Sequence, residues 1–243
     1  GFAYFNTGST GSTFVNCAIS GNKALGRNGV YKPTGATRFV NCSIVGNESG
    51  DLGGIVILFS GNSLALDNCI IWGNTATSGG NDIFVNSQTA SANSSLFDPA
   101  QSSGSISGST PLNSDPLFTD ADGPDNVYGT EDDDLSLQAS SPAIDGASAS
   151  VADYSTTDLL GRARSGGPDL GAYEFIAPSP PVFTSASFFS VQENQTGVGA
   201  VTATDANGDA LSFSISGGTD QAKFSINAVT GVLGFASLPD FEN

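Results

Sequence analysis

The chain has 243 residues, with 24 acidic side chains against seven lysines and arginines, no histidine and a net charge of −17. That balance argues against a nucleic-acid-binding face, because so few cations cannot neutralise a run of phosphates, and no stretch approaches the ~20 apolar residues of a membrane span. With 38% hydrophobic and 13% charged residues, the composition is that of ordered β structure in one or two domains rather than of a disordered chain.

Three segments near the start share one pattern: Phe14-Val-Asn-Cys-Ala-Ile-Ser-Gly-Asn22, Phe39-Val-Asn-Cys-Ser-Ile-Val-Gly-Asn47 and Leu66-Asp-Asn-Cys-Ile-Ile-Trp-Gly-Asn74. Cys17, Cys42 and Cys69 hold the same place in each, 25 and 27 residues apart. A period in the twenties marks a solenoid, and the Leu-x-x-Leu-x-Leu signature of leucine-rich repeats is absent, so the period fits a right-handed parallel β-helix. Alternation turns Cys17 and Ile19, Cys42 and Ile44, and Cys69 and Ile71 inward, and turns Ser20, Val45 and Trp72 outward. Second strands are expected around Asn28–Tyr31 and Gly53–Phe59. Rungs about 4.8 Å apart stack like on like, so Asn22, Asn47 and Asn74 are expected to form an amide ladder at the Gly-Asn turns. The same spacing holds the cysteines too far apart for disulfides and in a column rather than a tetrahedron, so they read as small buried hydrophobes.

The acids concentrate between Asp115 and Asp134, where eight fall with no lysine or arginine among them. Asp120, Asp122 and Asp125 flank Gly123 at a spacing that can converge on one hard cation, so calcium is the expected ligand; a solvated acidic loop is the alternative. Asp132, Asp133 and Asp134 sit in a polar run with nothing to raise one of their pKa values, and no catalytic residue is assigned.

Several motifs then occur in order: Asp115-Pro-Leu-Phe118, Asp120-Ala-Asp-Gly-Pro-Asp125, Gly129-Thr-Glu-Asp-Asp-Asp134, Ser140-Ser-Pro-Ala-Ile-Asp145, Asp158-Leu-Leu-Gly-Arg162 and Gly167-Pro-Asp-Leu-Gly-Ala-Tyr-Glu174. With the repeats, they make residues 1–176 resemble secreted bacterial right-handed β-helix proteins of the choice-of-anchor type. The resemblance implies that the closing segment caps the solenoid, with Arg162 and Asp169 as a structural pair. It implies little about activity, since the scaffold carries lyases, hydrolases, adhesins and structural proteins alike. Low lysine content and abundant Gly, Asn, Ser and Thr also resemble secreted surface proteins, so an extracellular or cell-surface location is expected. Residue 1 already lies in repeat-like sequence, which reads as a fragment or a processed product.

Residues 177–182 form a Pro-rich, stiff linker. Beyond it, short alternating strands are expected at Phe188–Gln192, Gly199–Thr204, Leu211–Ser216, Lys223–Asn227 and Gly231–Phe235, as in a β-sandwich. Val191-Gln-Glu-Asn194, Ala203-Thr-Asp-Ala-Asn-Gly-Asp209, Phe224-Ser-Ile-Asn-Ala-Val-Thr-Gly231 and Asp240-Phe-Glu242 make residues 181–243 resemble a cadherin-like repeat. The resemblance implies calcium ligands at Glu193, Asp205, Asp240 and Glu242, with Asn207 standing where Asp is usual. It also implies further strands beyond Asn243, supplied either by a longer parent chain, the preferred reading, or by a neighbouring copy.

The fold expected is therefore all-β: a short right-handed parallel β-helix (1–176), the linker (177–182) and an incomplete cadherin-like sandwich (183–243). The function expected is structural or adhesive, with copies of itself or adjoining domains as partners and Ca2+ stiffening the junctions. A polysaccharide lyase or hydrolase is the alternative; Lys23, Arg27, Tyr31, Lys32 and Arg38 are its basic or phenolic candidates. A carbohydrate-binding solenoid is a third reading, with Phe2, Tyr4, Phe5 and Trp72 as stacking aromatics.

Overall fold

The computed structural model describes residues 4–5, 11–24, 31–32, 35–52, 54–57, 62–79, 81–86 and 88–240; at 4–5, 31–32 and 56–57 the backbone alone is described. The chain is all-β and divides into two units, Gly1–Phe175 and Ile176–Asn243. Among the described residues helix is confined to two 3-10 turns, Pro99–Gln101 and Gln221–Lys223, so no helix is long and apolar enough to cross a membrane.

The first unit is a stack of coils. The first coil contributes β1 (Tyr4–Phe5), β2 (Thr13–Val15), β3 (Ala18–Ser20) and β4 (Lys23–Ala24). The second contributes β5 (Tyr31–Lys32), β6 (Ala36–Val40), β7 (Ser43–Val45) and β8 (Glu48–Ser49), and the third β9 (Ile55–Ile57), β10 (Ser63–Asp67), β11 (Ile70–Trp72) and β12 (Thr75–Ala76). β13 (Ile83–Val85) and β14 (Thr89–Asn93) continue the pattern, followed by β15 (Ile106–Gly108). Corresponding strands pair in parallel into four sheets, β1-β5-β9-β13, β2-β6-β10-β14-β15, β3-β7-β11 and β4-β8-β12. Register stacks apolar on apolar: Ile19, Ile44 and Ile71 pair across three coils, and Phe14, Phe39, Leu66 and Ala92 across four.

Inside the stack, Phe39, Cys42, Ile44, Leu66, Cys69 and Ile71 form one core, and the rings of Phe14 and Phe39 stack with centroids 4.8 Å apart. A second core lies outside it. Val45, Ile70 and Leu96 face outward and are covered by Phe118, Leu135, Leu137, Ala143 and Leu170. Phe118 and Leu137 belong to an antiparallel pair, β16 (Phe118–Asp120) and β17 (Asp134–Leu137). The segment expected to cap the solenoid thus runs along the flank of the coils. The reason is the outward slot itself: where one face of a strand would be solvated, apolar Val45, Ile70 and Trp72 require cover.

The second unit pairs β18 (Val182–Phe183) with β20 (Ala203–Thr204), and β19 (Gly197–Ala200) with β22 (Val232–Phe235) and β21 (Phe224–Ile226), all antiparallel. Three expected strands differ: Gly199–Thr204 is divided between the end of β19 and β20, which belong to different sheets. Among the described residues Phe188–Gln192 enters no ladder, and Leu211–Ser216 keeps its alternation of half-buried apolar and exposed serine residues but makes one backbone bond, Phe213 N–H to Ala228 O at 2.9 Å. Among the described residues of this unit only Gly231 is buried. Pairing in a sheet needs a partner strand as well as the right alternation.

Candidate functional site

The side chains that recur in the coils act mainly on one another. Asn22 donates its backbone N–H and side-chain amide to Asn47 Oδ1 at 3.0 and 3.1 Å, and Asn47 donates likewise to Asn74 Oδ1 at 3.0 and 2.8 Å. The second amide hydrogens of Asn47 and Asn74 reach back to the carbonyls of Ile19 and Ile44, each at 2.9 Å. Each asparagine therefore joins two turns that would otherwise leave buried backbone groups unmet. Asp82 ends the ladder, its Oδ1 accepting Asn74 N–H and Nδ2–H at 3.2 and 2.9 Å. Burial, above all other causes, lifts the Asp82 carboxyl to about 7. Asp82 lies outside the nine-residue repeat, so no periodic signal marked it.

The cysteine column is free of disulfides. Cys42 and Cys69 each donate S–H to the carbonyl two residues back, at 3.3 Å, and to the coil before, at 3.5 Å. Ser95 repeats the pattern, with its hydroxyl donating to Asn93 O at 3.0 Å and Leu66 O at 3.3 Å. It is the fourth member of the column, 26 residues after Cys69, and the one the cysteine motif could not reveal. The hydrogen bond that Cys17 donates to Cys42, then burial, pushes the Cys17 thiol up; for Cys42 the bond accepted from Cys17 pulls down, but the bond donated to Cys69 and burial outweigh it. These thiols are structural rather than nucleophilic.

The glycine of each Gly-Asn turn has two tasks. Gly21, Gly46 and Gly73 have φ of 59°, 62° and 67°, a region glycine enters without a Cβ penalty. The acidic loop also lays Tyr128 across them: a Cβ on Gly46 would collide with the Tyr128 ring, one on Gly21 with its carbonyl, and one on Gly73 would lie 3.8 Å from its hydroxyl.

Within that loop the carboxylates serve local turns. Asp115 Oδ1 accepts Leu117 N–H at 2.8 Å, Asp125 Oδ1 accepts Val127 N–H at 2.9 Å, and Asp133 Oδ2 accepts Gly129 N–H at 2.6 Å. A hydrogen bond from Thr130 holds the Asp132 carboxyl below its ordinary range. Asp120 and Asp125 are exposed and Asp122 is half-buried; Asp120 stands opposite Asp134 in the β16–β17 pair. Among the described residues no three His, Cys, Asp or Glu side chains are placed to hold a metal ion.

The flanking segment is locked by one buried network. The Arg164 side chain, 0% exposed, meets Glu174 Oε2 at 3.2 Å and donates to Asp169 O, Gly171 O and Asn16 Oδ1. The buried arginine is thus Arg164 and not Arg162, whose backbone N–H bonds Asp158 Oδ1 at 2.8 Å. Asp169 accepts N–H groups of Asp145 and Phe175 through its carboxylate, and burial pushes both Asp169 and Glu174 upward.

Two of the candidates for saccharide chemistry are engaged in ion pairs. Arg38 is paired with Asp67 at 2.8 Å and lies 3.7 Å from Asp153, and Lys23 is paired with Glu48 at 2.8 Å. Arg27 and Phe2 lie outside the described residues, as do the side chains of Tyr4, Phe5, Tyr31 and Lys32. Trp72, expected to stand open to solvent, is partly buried against the second core. Its remaining surface lines a cleft of about 340 Å³ with Asn81, Asp82, Asp98 and Gln101.

In the second unit, Asn194 N–H donates to Pro239 O at 3.0 Å, which brings the chain beside Glu193 against the chain beside Asp240. Asp205 Oδ1 accepts the N–H groups of Asn207 and Asp209 at 2.8 and 3.2 Å; Glu242 lies outside the described residues. Asn207 holds the Pro-rich segment, donating to Ile176 O and Ala177 O at 3.0 and 3.1 Å and accepting Ser179 N–H at 3.0 Å. A cavity of about 910 Å³, lined by Phe183, Val201, Leu211, Phe213, Ile215 and Phe224, takes the place of a closed core.

Comparison with known proteins gave no match to a family model, to a curated protein or to a solved structure.

Proposed function

We propose that the chain is a structural or adhesive segment of a secreted, cell-surface bacterial protein. In this reading the first unit is a right-handed parallel β-helix of the choice-of-anchor type and the second a cadherin-like module. The observation that carries it is the use of the repeated polar side chains. Asn22, Asn47 and Asn74 bind one another and the backbone of neighbouring coils, and the outward face of β7 and β11 is covered by the chain's own flank. Such a stack is built to be rigid and to present a surface. Copies of the chain or adjoining domains are its partners. Calcium stiffens it at Asp120, Asp122 and Asp125 and at Glu193, Asp205, Asp240 and Glu242; the Asn194–Pro239 bond supports the second set by joining two of its segments. The test is light scattering and electron microscopy with calcium and with chelator. Calcium-dependent assembly or stiffening is expected, and a monodisperse monomer of equal stability in both conditions sinks the reading.

The Trp72 cleft favours one alternative, a polysaccharide-binding or polysaccharide-cleaving β-helix, because an aromatic face beside a buried and an unburied carboxylate suits a sugar ring. Trp72 is the only tryptophan, so its fluorescence reports directly on this cleft. Saturable quenching by a neutral or uronate polysaccharide, with or without product release, supports the alternative; an unchanged emission across such a panel removes it.

A further inference from the structure

Asn16, Asn41 and Asn68 occupy one corner of three successive coils, with left-handed φ of 51°, 51° and 57°. The outer two are bonded through both the oxygen and the nitrogen of their amides. Asn16 donates to Thr157 O at 2.5 Å and accepts from Arg164 Nη2 at 3.2 Å; Asn68 donates to Ser148 O at 2.9 Å and accepts Ser148 N–H at 2.8 Å. Asn41, between them, is 0% exposed, yet among the described residues neither its Oδ1 nor its Nδ2 has a partner. Arg164 Nε is likewise buried and unmet.

Both orphan groups lie along the network that ties the coils to the flanking segment. Arg164 Nη2 bonds both Asn16 in the first coil and Gly171 O at 2.8 Å, while Gly171 N–H bonds Asn68 O in the third coil at 2.8 Å. The next residue, Ala172, donates to Ser43 Oγ at 3.0 Å, two positions from Asn41. The guanidinium thus bonds the first coil directly and the third through Gly171, which are the coils on either side of Asn41, two rungs of about 4.8 Å apart.

We propose that this seam encloses a bound water molecule that joins the Asn41 amide to Arg164 Nε. The ligand must accept from Nδ2–H and Nε–H and donate to Oδ1, which water does with both lone pairs and a proton. Charge excludes an ion. A cation would face Arg164, and an anion would face the Asp158, Asp169 and Glu174 carboxylates, all buried in the same segment. With the water in place, all three coil corners bind the flanking segment, two directly and the middle one through solvent.

A crystal structure of the whole chain at better than about 1.5 Å resolution, with water-to-protein NOE spectroscopy in solution, tests this. Spherical density within about 2.7–3.2 Å of the Asn41 amide and Arg164 Nε is expected. So are long-lived water cross-peaks at the Asn41 side-chain NH2 and Arg164 Hε. Direct protein bonds to the Asn41 amide, or dry density with no cross-peak, overturn the proposal. Asn41→Gly keeps the left-handed backbone and removes the amide. It should lower Tm as Asn68→Gly does and abolish the Arg164 Hε cross-peak, whereas an unchanged or raised Tm with Asn68→Gly lowered is the result of a dry seam.

Discussion

Phe39 and Phe183 are both strand residues, but Phe39 is 0% exposed and Phe183 is 70% exposed. The contrast runs through both units. In the first, each coil lends its unsatisfied edge to the next, and the apolar outer face is closed by the chain's own residues 118–170. In the second, the strands that exist leave Val182, Phe188, Val232 and Leu238 more than half exposed around an open apolar cavity. Burial of apolar area is what offsets chain entropy, so the two units differ in stability before any single contact is considered. A repeated polar side chain that binds its own copy closes a fold locally; an alternating strand without a partner does not.

Four experiments test this contrast. The largest effect is expected from Phe39→Ala or Arg164→Ala. The first leaves a cavity and the second strands the buried Glu174 carboxylate, each at about 3–5 kcal/mol of first-unit stability, measured by urea unfolding. The next is pH. Asp82 has a folded pKa of about 7 against an ordinary 3.8, so the folded state binds the proton more tightly. Its stabilising contribution is complete below about pH 4 and is lost as pH rises towards 7; the upward shifts of Asp169 and Glu174 act in the same direction. First-unit stability should fall by about 2–4 kcal/mol over that window. Asp82→Asn keeps an acceptor for Asn74 and should flatten most of the slope; a slope unchanged in this variant would show that Asp82 is not its source.

A smaller effect, about 1 kcal/mol, is expected from Asn207→Ala, which removes the bonds holding the Pro-rich segment. Faster proteolysis within residues 176–182, at unchanged first-unit stability, is the readout. The smallest is Phe183→Ser, below about 0.5 kcal/mol in urea, because the side chain is already solvated. A loss as large as that of Phe39→Ala would mean that the second unit closes its cavity in solution.

How much was legible follows residue by residue. The cysteine and asparagine columns were readable because identical side chains recur at a period that stacking demands. Ser95 was not, because one hydroxyl replaced the thiol that defined the motif, and Asp82 was not, because it enters the ladder from a loop. Alternation placed Trp72 and Val45 on the outer face, but could not show that Phe118 and Leu137 would cover that face. Nor could it separate Arg162 from Arg164, since which arginine turns inward depends on where Glu174 and Asn16 meet.

The amino-acid sequence alone determined the coil period, the residues that face inward and the glycine at each turn, since these follow from strand geometry and local φ. The tertiary structure alone decided which acids and amides end buried, that Tyr128 lies along the glycine column, and that the first unit closes on itself while the second stays open. Those outcomes rest on contacts between segments up to 148 residues apart, such as Arg164 with Asn16, and no local pattern encodes the partner of a long-range contact.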